Sequence, residues 1–288
     1  MANNSTAALN TTGEGFMFSC SIGWSVPVAA INAVTLVVNL FHLVIITKIE
    51  ALQSLPYRLI LIHITVADII TAAYLLAIYS CVPMVFRIGR FQSFVFSFIE
   101  WPMLTSNWIF LASSIVQYLG ICQPLHYNTS RFIEKLSSTL ILSWVFTFAW
   151  VMMLTALTVI TRGTPMSTAV RLLEFTCKYL PLILSGIILG MIVKELTKKD
   201  GSQLGQRQDQ NRKASIYLII IYSIAATFAF FDFVVSCINF IDPDLTSFLM
   251  QRLRNITRPV YGLLNTLIFC LRSKNYRQQV RDMLWRRN

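Results

Sequence analysis

The sequence is poor in charged residues. Only 13% of its 288 residues are Asp, Glu, Lys or Arg, whereas soluble domains carry about 25%. Acidic residues are the scarcer sign, with 13 Asp and Glu against 24 Lys and Arg, so the formal net charge is +11. Because 55% of the chain is hydrophobic, the low content of charged residues indicates a surface that faces lipid. A nucleic-acid-binding domain is excluded, since it would need an exposed basic face on a soluble fold.

The sequence also lacks the residue groupings that enzymes need. Its three histidines, His42, His63 and His126, are far apart and have no metal-ligand spacing. It contains no glycine-rich phosphate loop, and no paired acids or histidines fall at one depth as an intramembrane hydrolase requires. We therefore expect that the protein is not an enzyme.

Seven long apolar stretches dominate the chain. A bilayer core is crossed by about 20 apolar residues in a helix, and lipid offers the backbone no hydrogen-bond partner, so each crossing segment must be regular. The stretches are too uniformly apolar for barrel strands, which alternate over about 10 residues. The sequence predicts an all-α membrane protein, a bundle of seven transmembrane helices. The predicted spans are 24–47, 57–86, 94–118, 136–160, 175–193, 214–241 and 248–271.

Three regions follow from these spans: an extracellular tail at 1–23, the seven-transmembrane domain at 24–271, and a cytoplasmic amphipathic helix with its tail at 272–288. This orientation puts 16 of the 24 Lys and Arg residues on the inner side, where basic residues accumulate. We therefore predict a multi-pass plasma-membrane protein with an extracellular N-terminus. The C-terminal region predicts an eighth helix along the anionic inner leaflet, because its apolar residues share one helix face. Those residues are Tyr276, Val280, Met283 and Leu284.

The predicted outer side carries two kinds of modification site. The N-terminal tail has no basic region ahead of an apolar core, so we expect no signal peptide. The tail has glycosylation acceptors at Asn3, Asn4 and Asn10. Four of the six cysteines fall on or near the outer side, where disulfides can form, and their pairing stays open, as does a role as small apolar fillers. They are Cys20, Cys81, Cys177 and Cys237.

Several charged residues fall inside the predicted spans, where a charge is costly, and four of them indicate a ligand site. Glu100 lies in the outer half of the third span, Asp232 in the outer half of the sixth, and Arg254 and Arg258 share one face of the seventh. They predict a polar cavity open to the outside, in which the arginines contact an anionic ligand group or the acids a cationic one. The alternative is direct pairing, such as Asp232 with Arg258, which satisfies both charges without a ligand.

Ordered local motifs narrow the class of seven-helix protein. They are Val38-Asn39-Leu40, Ala67-Asp68, Gln117-Tyr118-Leu119-Gly120-Ile121-Cys122-Gln123-Pro124-Leu125-His126-Tyr127, Ser143-Trp144, Pro181 and Asn265-Thr266-Leu267-Ile268-Phe269. Taken in order, these motifs resemble those of the rhodopsin-like (class A) G-protein-coupled receptors. The Pro-Leu-His-Tyr loop and the Leu-Arg-Ser-Lys string at 271–274 look closest to odorant-type members.

The resemblance implies a receptor that passes the signal of an extracellular small-molecule or peptide ligand to a heterotrimeric G protein. The ligand would bind among helices three, five, six and seven. The family's sodium cluster corresponds to Asn39, Asp68, Ser106 and Asn265, with Asp68 as the sodium ligand, and no other cofactor is expected. The alternative is a protonated Asp68 that is hydrogen-bonded to Asn39 and Asn265. The G-protein-facing residues would be Gln117, Tyr118, Pro124, Leu125 and Tyr127.

The sequence departs from the family at the inner end of the bundle. Gln117 stands where the family has the Arg of Asp-Arg-Tyr, while Leu189 and Phe269 replace two tyrosines. These residues cannot form the polar contacts that join the corresponding family residues in the active state. Either the receptor is tuned differently or coupling is weak or absent. A non-signalling decoy or dimer partner is therefore the main alternative, and a channel or transporter is disfavoured because no internal repeat is visible.

Overall fold

A computed structural model describes residues 22–48, 56–79, 89–122, 129–161, 166–198 and 274–285, and most positions of 219–238 and 256–267. Within these ranges every residue is helical except Thr129 and Thr161. The long helices are α1 (Ile22–Lys48), α2 (Pro56–Tyr79), α3 (Gly89–Cys122), α4 (Ser130–Ile160) and α5 (Met166–Lys198). They are followed by helical residues in the 219–238 segment and the 256–267 segment, and by the C-terminal helix, Lys274–Trp285.

Four helices are long and apolar enough to cross a membrane. They cover Val26–Lys48, Arg58–Tyr79, Ser130–Ile160 and Thr168–Glu195. Large apolar side chains lie exposed on three of them, including Val37 at 65%, Leu142 at 65% and Ile183 at 60% exposure. Apolar surface of this extent needs lipid around it. These four helices confirm the predicted all-α membrane architecture. The presence of seven spans stays a prediction.

All five long helices begin earlier than the apolar pattern predicts, and the difference is largest for α4 and α5. α4 begins at Ser130, ahead of the predicted 136, because the hydroxyl of Thr129 caps it by accepting from the backbone N–H of Phe132 at 3.3 Å. α5 begins at Met166, ahead of the predicted 175. Hydropathy detects only the part of a helix that lies in hydrocarbon, whereas the backbone hydrogen bonds continue through polar residues such as Arg171 and Glu174.

α3 is the central helix of the described bundle. It packs against α2, α4 and α5, while α1 packs against α2 and the C-terminal helix. A buried cluster joins Ile60 of α2, Ile109 and Val116 of α3, and Leu136 and Leu140 of α4. Lipid tails are as apolar as these side chains, so close packing and interhelical hydrogen bonds stabilise the contacts, and exclusion of water contributes little.

Indole and hydroxyl groups join α2, α3 and α4. The indole N–H of Trp144 donates to His63 Nδ1 at 3.0 Å, and that of Trp101 donates to the Trp144 carbonyl at 3.1 Å. The hydroxyls of Thr105 and Thr147 lie 2.6 Å apart. An indole N–H can only donate, so His63 Nδ1 is the acceptor. These bonds hold the face of α3 that turns toward α4.

The C-terminal helix is attached to α1 by one buried tyrosine. The Tyr276 hydroxyl lies 3.0 Å from His42 Nδ1, and both side chains are 2% exposed. The tyrosine ring also packs against Ile45 and Leu61. Tyr276 therefore positions the C-terminal helix beside the end of α1 that carries Lys48.

Candidate functional site

Two of the predicted ligand-binding acids come together around a lysine. Lys178 Nζ on α5 lies 2.5 Å from Asp232 Oδ2 in the 219–238 segment and 3.5 Å from Glu100 Oε2 on α3. The side chains of Lys178, Asp232 and Glu100 are 13%, 11% and 26% exposed. The structure thus brings Glu100 and Asp232 to the same cation, Lys178.

Tyr179 completes this group, which we call the charge cluster: Glu100, Lys178, Tyr179 and Asp232. Its hydroxyl donates to Asp232 Oδ2 at 2.8 Å, and its ring centroid lies 5.5 Å from Lys178 Nζ. The ring also packs edge-on to Phe233, with 5.4 Å between centroids. One carboxylate oxygen therefore receives both an ammonium and a hydroxyl, which are strong, charge-assisted contacts.

The backbone of α5 near Lys178 makes contacts outside the regular helix pattern. Pro181 lies inside α5 and has no N–H to donate, so it disturbs the regular hydrogen bonding of the turn before it. The carbonyl of Lys178 accepts a hydrogen bond from Asn107 Nδ2 on α3 at 3.0 Å. The hydroxyl of Ser185 donates to the Pro181 carbonyl at 2.8 Å. α3 and α5 are therefore joined by a side-chain-to-backbone bond as well as by the ion pair.

A cavity of about 130 Å³ lies beside the charge cluster, between α3, α4 and α5. Its polar lining residues are Glu100, Trp150, Thr155, Thr158, Glu174 and Lys178. The indole nitrogen of Trp150 is buried and has no hydrogen-bond partner among the described residues. The resemblance implied a site among helices three, five, six and seven, whereas this cavity is lined by α3, α4 and α5.

The predicted arginines, Arg254 and Arg258, are outside the described residues. The Asp232–Arg258 pair stays a prediction, and in the structure Asp232 contacts Lys178 and Tyr179. A signal for Lys178 was present in the sequence. It lies within the predicted span 175–193, where a charge needs a partner.

Asn39, a member of the predicted sodium cluster, makes two hydrogen bonds. Asn39 Nδ2 donates to the Thr35 carbonyl at 2.9 Å, and Asn39 Oδ1 accepts from the Thr266 hydroxyl at 2.6 Å. Thr35 in turn donates to the carbonyl of Pro259 at 3.3 Å. Thr266 thus gives α1 a direct hydroxyl partner. Asn265 is outside the described residues.

Asp68 lies against the backbone of the 256–267 segment. A β-carbon added to Gly262 would be 3.0 Å from Asp68 Cγ. Hard cations prefer oxygen ligands, which the Asp68 carboxylate and the Ser106 hydroxyl would supply to the predicted sodium cluster. Within the described ranges, no group of three or more His, Cys, Asp or Glu residues could hold a metal. The sodium site stays a prediction.

The predicted G-protein-facing end is apolar where the family has polar contacts. Leu189 and Ile192 of α5 are buried against Tyr118 of α3 and Tyr222 of the 219–238 segment. Gln117 is half-buried on α3. Pro124, Leu125 and Tyr127 are outside the described residues.

The predicted modification sites are mostly outside the described ranges. This holds for the glycosylation acceptors Asn3, Asn4 and Asn10, and for Cys20 and Cys81. Cys177 and Cys237 are free thiols, so neither forms a disulfide in the structure.

Compared with known proteins, the sequence matches no family model and no curated protein. A functional assignment therefore has to come from the residues and contacts of the chain itself.

Proposed function

We propose that the protein is a rhodopsin-like receptor of the plasma membrane with seven helices and an extracellular N-terminus. It binds a small-molecule or peptide ligand at its outer end and transmits that binding to a heterotrimeric G protein, with no enzymatic activity. The observation that supports this most is the charge cluster, which joins α3, α5 and the 219–238 segment next to a cavity.

Buried charges make the geometry of these helices sensitive to a ligand. An ionised group in an apolar bundle is stable only while it is paired. Lys178 is closer to Asp232 than to Glu100, so Glu100 is the partner that a ligand displaces more easily. A ligand that binds better to one arrangement of these pairs shifts the population toward it.

The same three helical elements meet again at the opposite end. Leu189 on α5 lies 11 residues beyond Lys178, about 16 Å along the helix axis, and it is buried against Tyr118 and Tyr222. α3, α5 and the 219–238 segment are thus in contact at two levels of the bundle, at the charge cluster and around Leu189. This arrangement is a physical route by which a change in the charge cluster could alter the inner surface.

The direct test is guanine-nucleotide exchange without added ligand. The purified chain in phospholipid nanodiscs should raise the exchange rate of at least one heterotrimer above the receptor-free rate. Lys178→Gln should change that rate because it breaks the charge cluster. Arg171→Gln, which alters an exposed cation on the same helix, is the matched control. If Lys178→Gln leaves the rate unchanged, the charge cluster does not control coupling. If no heterotrimer responds to the unaltered chain, either alone or with a ligand that it binds, G-protein coupling is rejected.

A second candidate is a seven-helix protein that binds a ligand but does not signal. The apolar environment of Leu189, which is 4% exposed in its cluster with Tyr118 and Tyr222, favours it. In that case the charge cluster would serve ligand binding alone. Saturable ligand binding with no nucleotide exchange would support this candidate over the first.

A further inference from the structure

We propose that Tyr222 of the 219–238 segment holds this segment against the backbone of α5 while no ligand is bound, and that Gly186 provides the space for it. We call this contact the tyrosine latch: Tyr222, Leu182 and Gly186. The inference rests on the proposed receptor function, for which it names the contact that limits nucleotide exchange in the absence of ligand.

The hydroxyl of Tyr222 bonds to the main chain of α5. It donates to the Leu182 carbonyl at 3.0 Å. In a regular α-helix the N–H of Gly186, four residues later, donates to the same carbonyl, so the tyrosine bond is an additional one. If the tyrosine moves away, α5 keeps its own hydrogen bonds. The hydroxyls of Ser223 and Thr227 on the same segment donate instead to carbonyls of their own helix, each at 2.8 Å.

Gly186 provides the space that the tyrosine occupies. A β-carbon at this position would overlap the Tyr222 hydroxyl and would lie 3.1 Å from the ring carbon that carries it. Gly190, one turn further along α5, has open space around it. The helix itself does not require glycine at either position, since alanine is the better helix former. The missing side chain at Gly186 therefore allows the contact with Tyr222.

Two described side chains of the 219–238 segment form polar contacts with α5, and the contacts differ in strength. Asp232 receives the ammonium of Lys178 and the hydroxyl of Tyr179 in the charge cluster, and bonds to an ionised group are the strong ones. Tyr222 is about 15 Å away along the helix axis and makes one hydrogen bond between neutral groups. Because the weaker contact breaks first, the segment would turn about the charge cluster and leave α5 at Tyr222.

The apolar contacts of Tyr222 are less specific than its hydrogen bond. Its ring centroid lies 6.0 Å from that of Phe110, and the ring packs against the buried Leu189 and Ile192. Lipid tails can replace such contacts, because they are as apolar as these side chains. The bond to Leu182 therefore distinguishes the closed arrangement from one in which lipid enters between the helices.

Two opposite changes break the tyrosine latch. Tyr222→Phe removes the hydroxyl and keeps the ring, whereas Gly186→Ala keeps the hydroxyl and fills its space. Each should raise the ligand-free rate of nucleotide exchange about two- to tenfold, the effect of one neutral hydrogen bond on an equilibrium. The double variant should match the single variants, because both remove the same contact. Gly190→Ala and Ser223→Ala are the matched controls and should leave the rate unchanged.

A distance measurement tests the tyrosine latch without a G protein. Nitroxides are attached through p-acetylphenylalanine at Ile220 of the 219–238 segment and Ile141 of α4, which are 43% and 57% exposed. The labelled full chain is measured in phospholipid nanodiscs by pulsed electron paramagnetic resonance. Tyr222→Phe and Gly186→Ala should each increase the population of a second distance about two- to tenfold, and Gly190→Ala should not. A purely structural tyrosine would lower Tm without changing the distances.

An unchanged distance distribution in both variants, or additive effects in the double variant, would overturn the inference. If one of the two variants is not monodisperse on size exclusion, the other decides. A changed distance distribution without nucleotide exchange supports the tyrosine latch and counts against G-protein coupling. Exchange by the unaltered chain at the same rate as by both variants overturns the tyrosine latch and leaves the proposed coupling in place.

Discussion

Replacing Lys178 by methionine removes the one cation that joins Glu100 to Asp232. Methionine keeps most of the lysine's volume and its unbranched shape, so the change acts mainly on charge. Asp232 would then keep the hydroxyl of Tyr179 as a partner. Two carboxylates with side-chain exposures of 11% and 26% would remain close together in the bundle.

The size of the effect follows from this burial. Removing one member of a buried ion pair costs about 3–5 kcal/mol. Glu100 is a quarter exposed and Asp232 keeps its tyrosine bond, so we expect about 2–4 kcal/mol of destabilisation for Lys178→Met. At about 2–4 °C per kcal/mol in chains of comparable size, Tm should fall by about 5–10 °C.

A second variant tests whether charge is the cause. Lys178→Met combined with Asp232→Asn leaves a neutral pair, and the asparagine oxygen can still accept from Tyr179. The double variant should be more stable than Lys178→Met alone by about 1–2 kcal/mol, although it carries one more substitution. Intrinsic-fluorescence melting of the detergent-purified protein measures both, with Arg171→Met as control. A Lys178→Met variant as stable as Arg171→Met, or a double variant less stable than the single one, would refute the reasoning.

Two further stability predictions concern close contacts elsewhere in the bundle. Gly262→Ala should lower the free energy of unfolding by about 1 kcal/mol, because the new methyl would meet the Asp68 side chain. The energetic cost of this overpacking is larger than the gain in helix propensity from alanine. Gly190→Ala, which has open space around it, should instead raise Tm, so equal shifts in the two variants would contradict this packing. Tyr276→Phe should cost about 1–3 kcal/mol, because it leaves a buried His42 nitrogen unsatisfied. Melting curves check it, and an unchanged Tm would show that the 3.0 Å contact does not stabilise the C-terminal helix.

Much of the helical framework is predictable from local sequence. The apolar runs around α1 and α4 identify helices, because span length and hydropathy are properties of one continuous segment. The same signal misplaced the start of α5, where Arg171 and Glu174 continue the helix beyond its apolar part. Glu100 and Asp232 could also be singled out from sequence, since a charge within a predicted span needs a partner.

The identity of each partner came from the tertiary structure. Asn39 binds Thr266, which is 227 residues away, and Lys178 pairs with acids from two other helical elements. The cavity likewise depends on Trp150 of α4, a helix for which the sequence predicted no ligand contact. Residue spacing determines which side chains share a face of one helix. Which neighbour that face meets depends on how the helices are rotated and packed, and this is set by contacts between segments far apart in the chain.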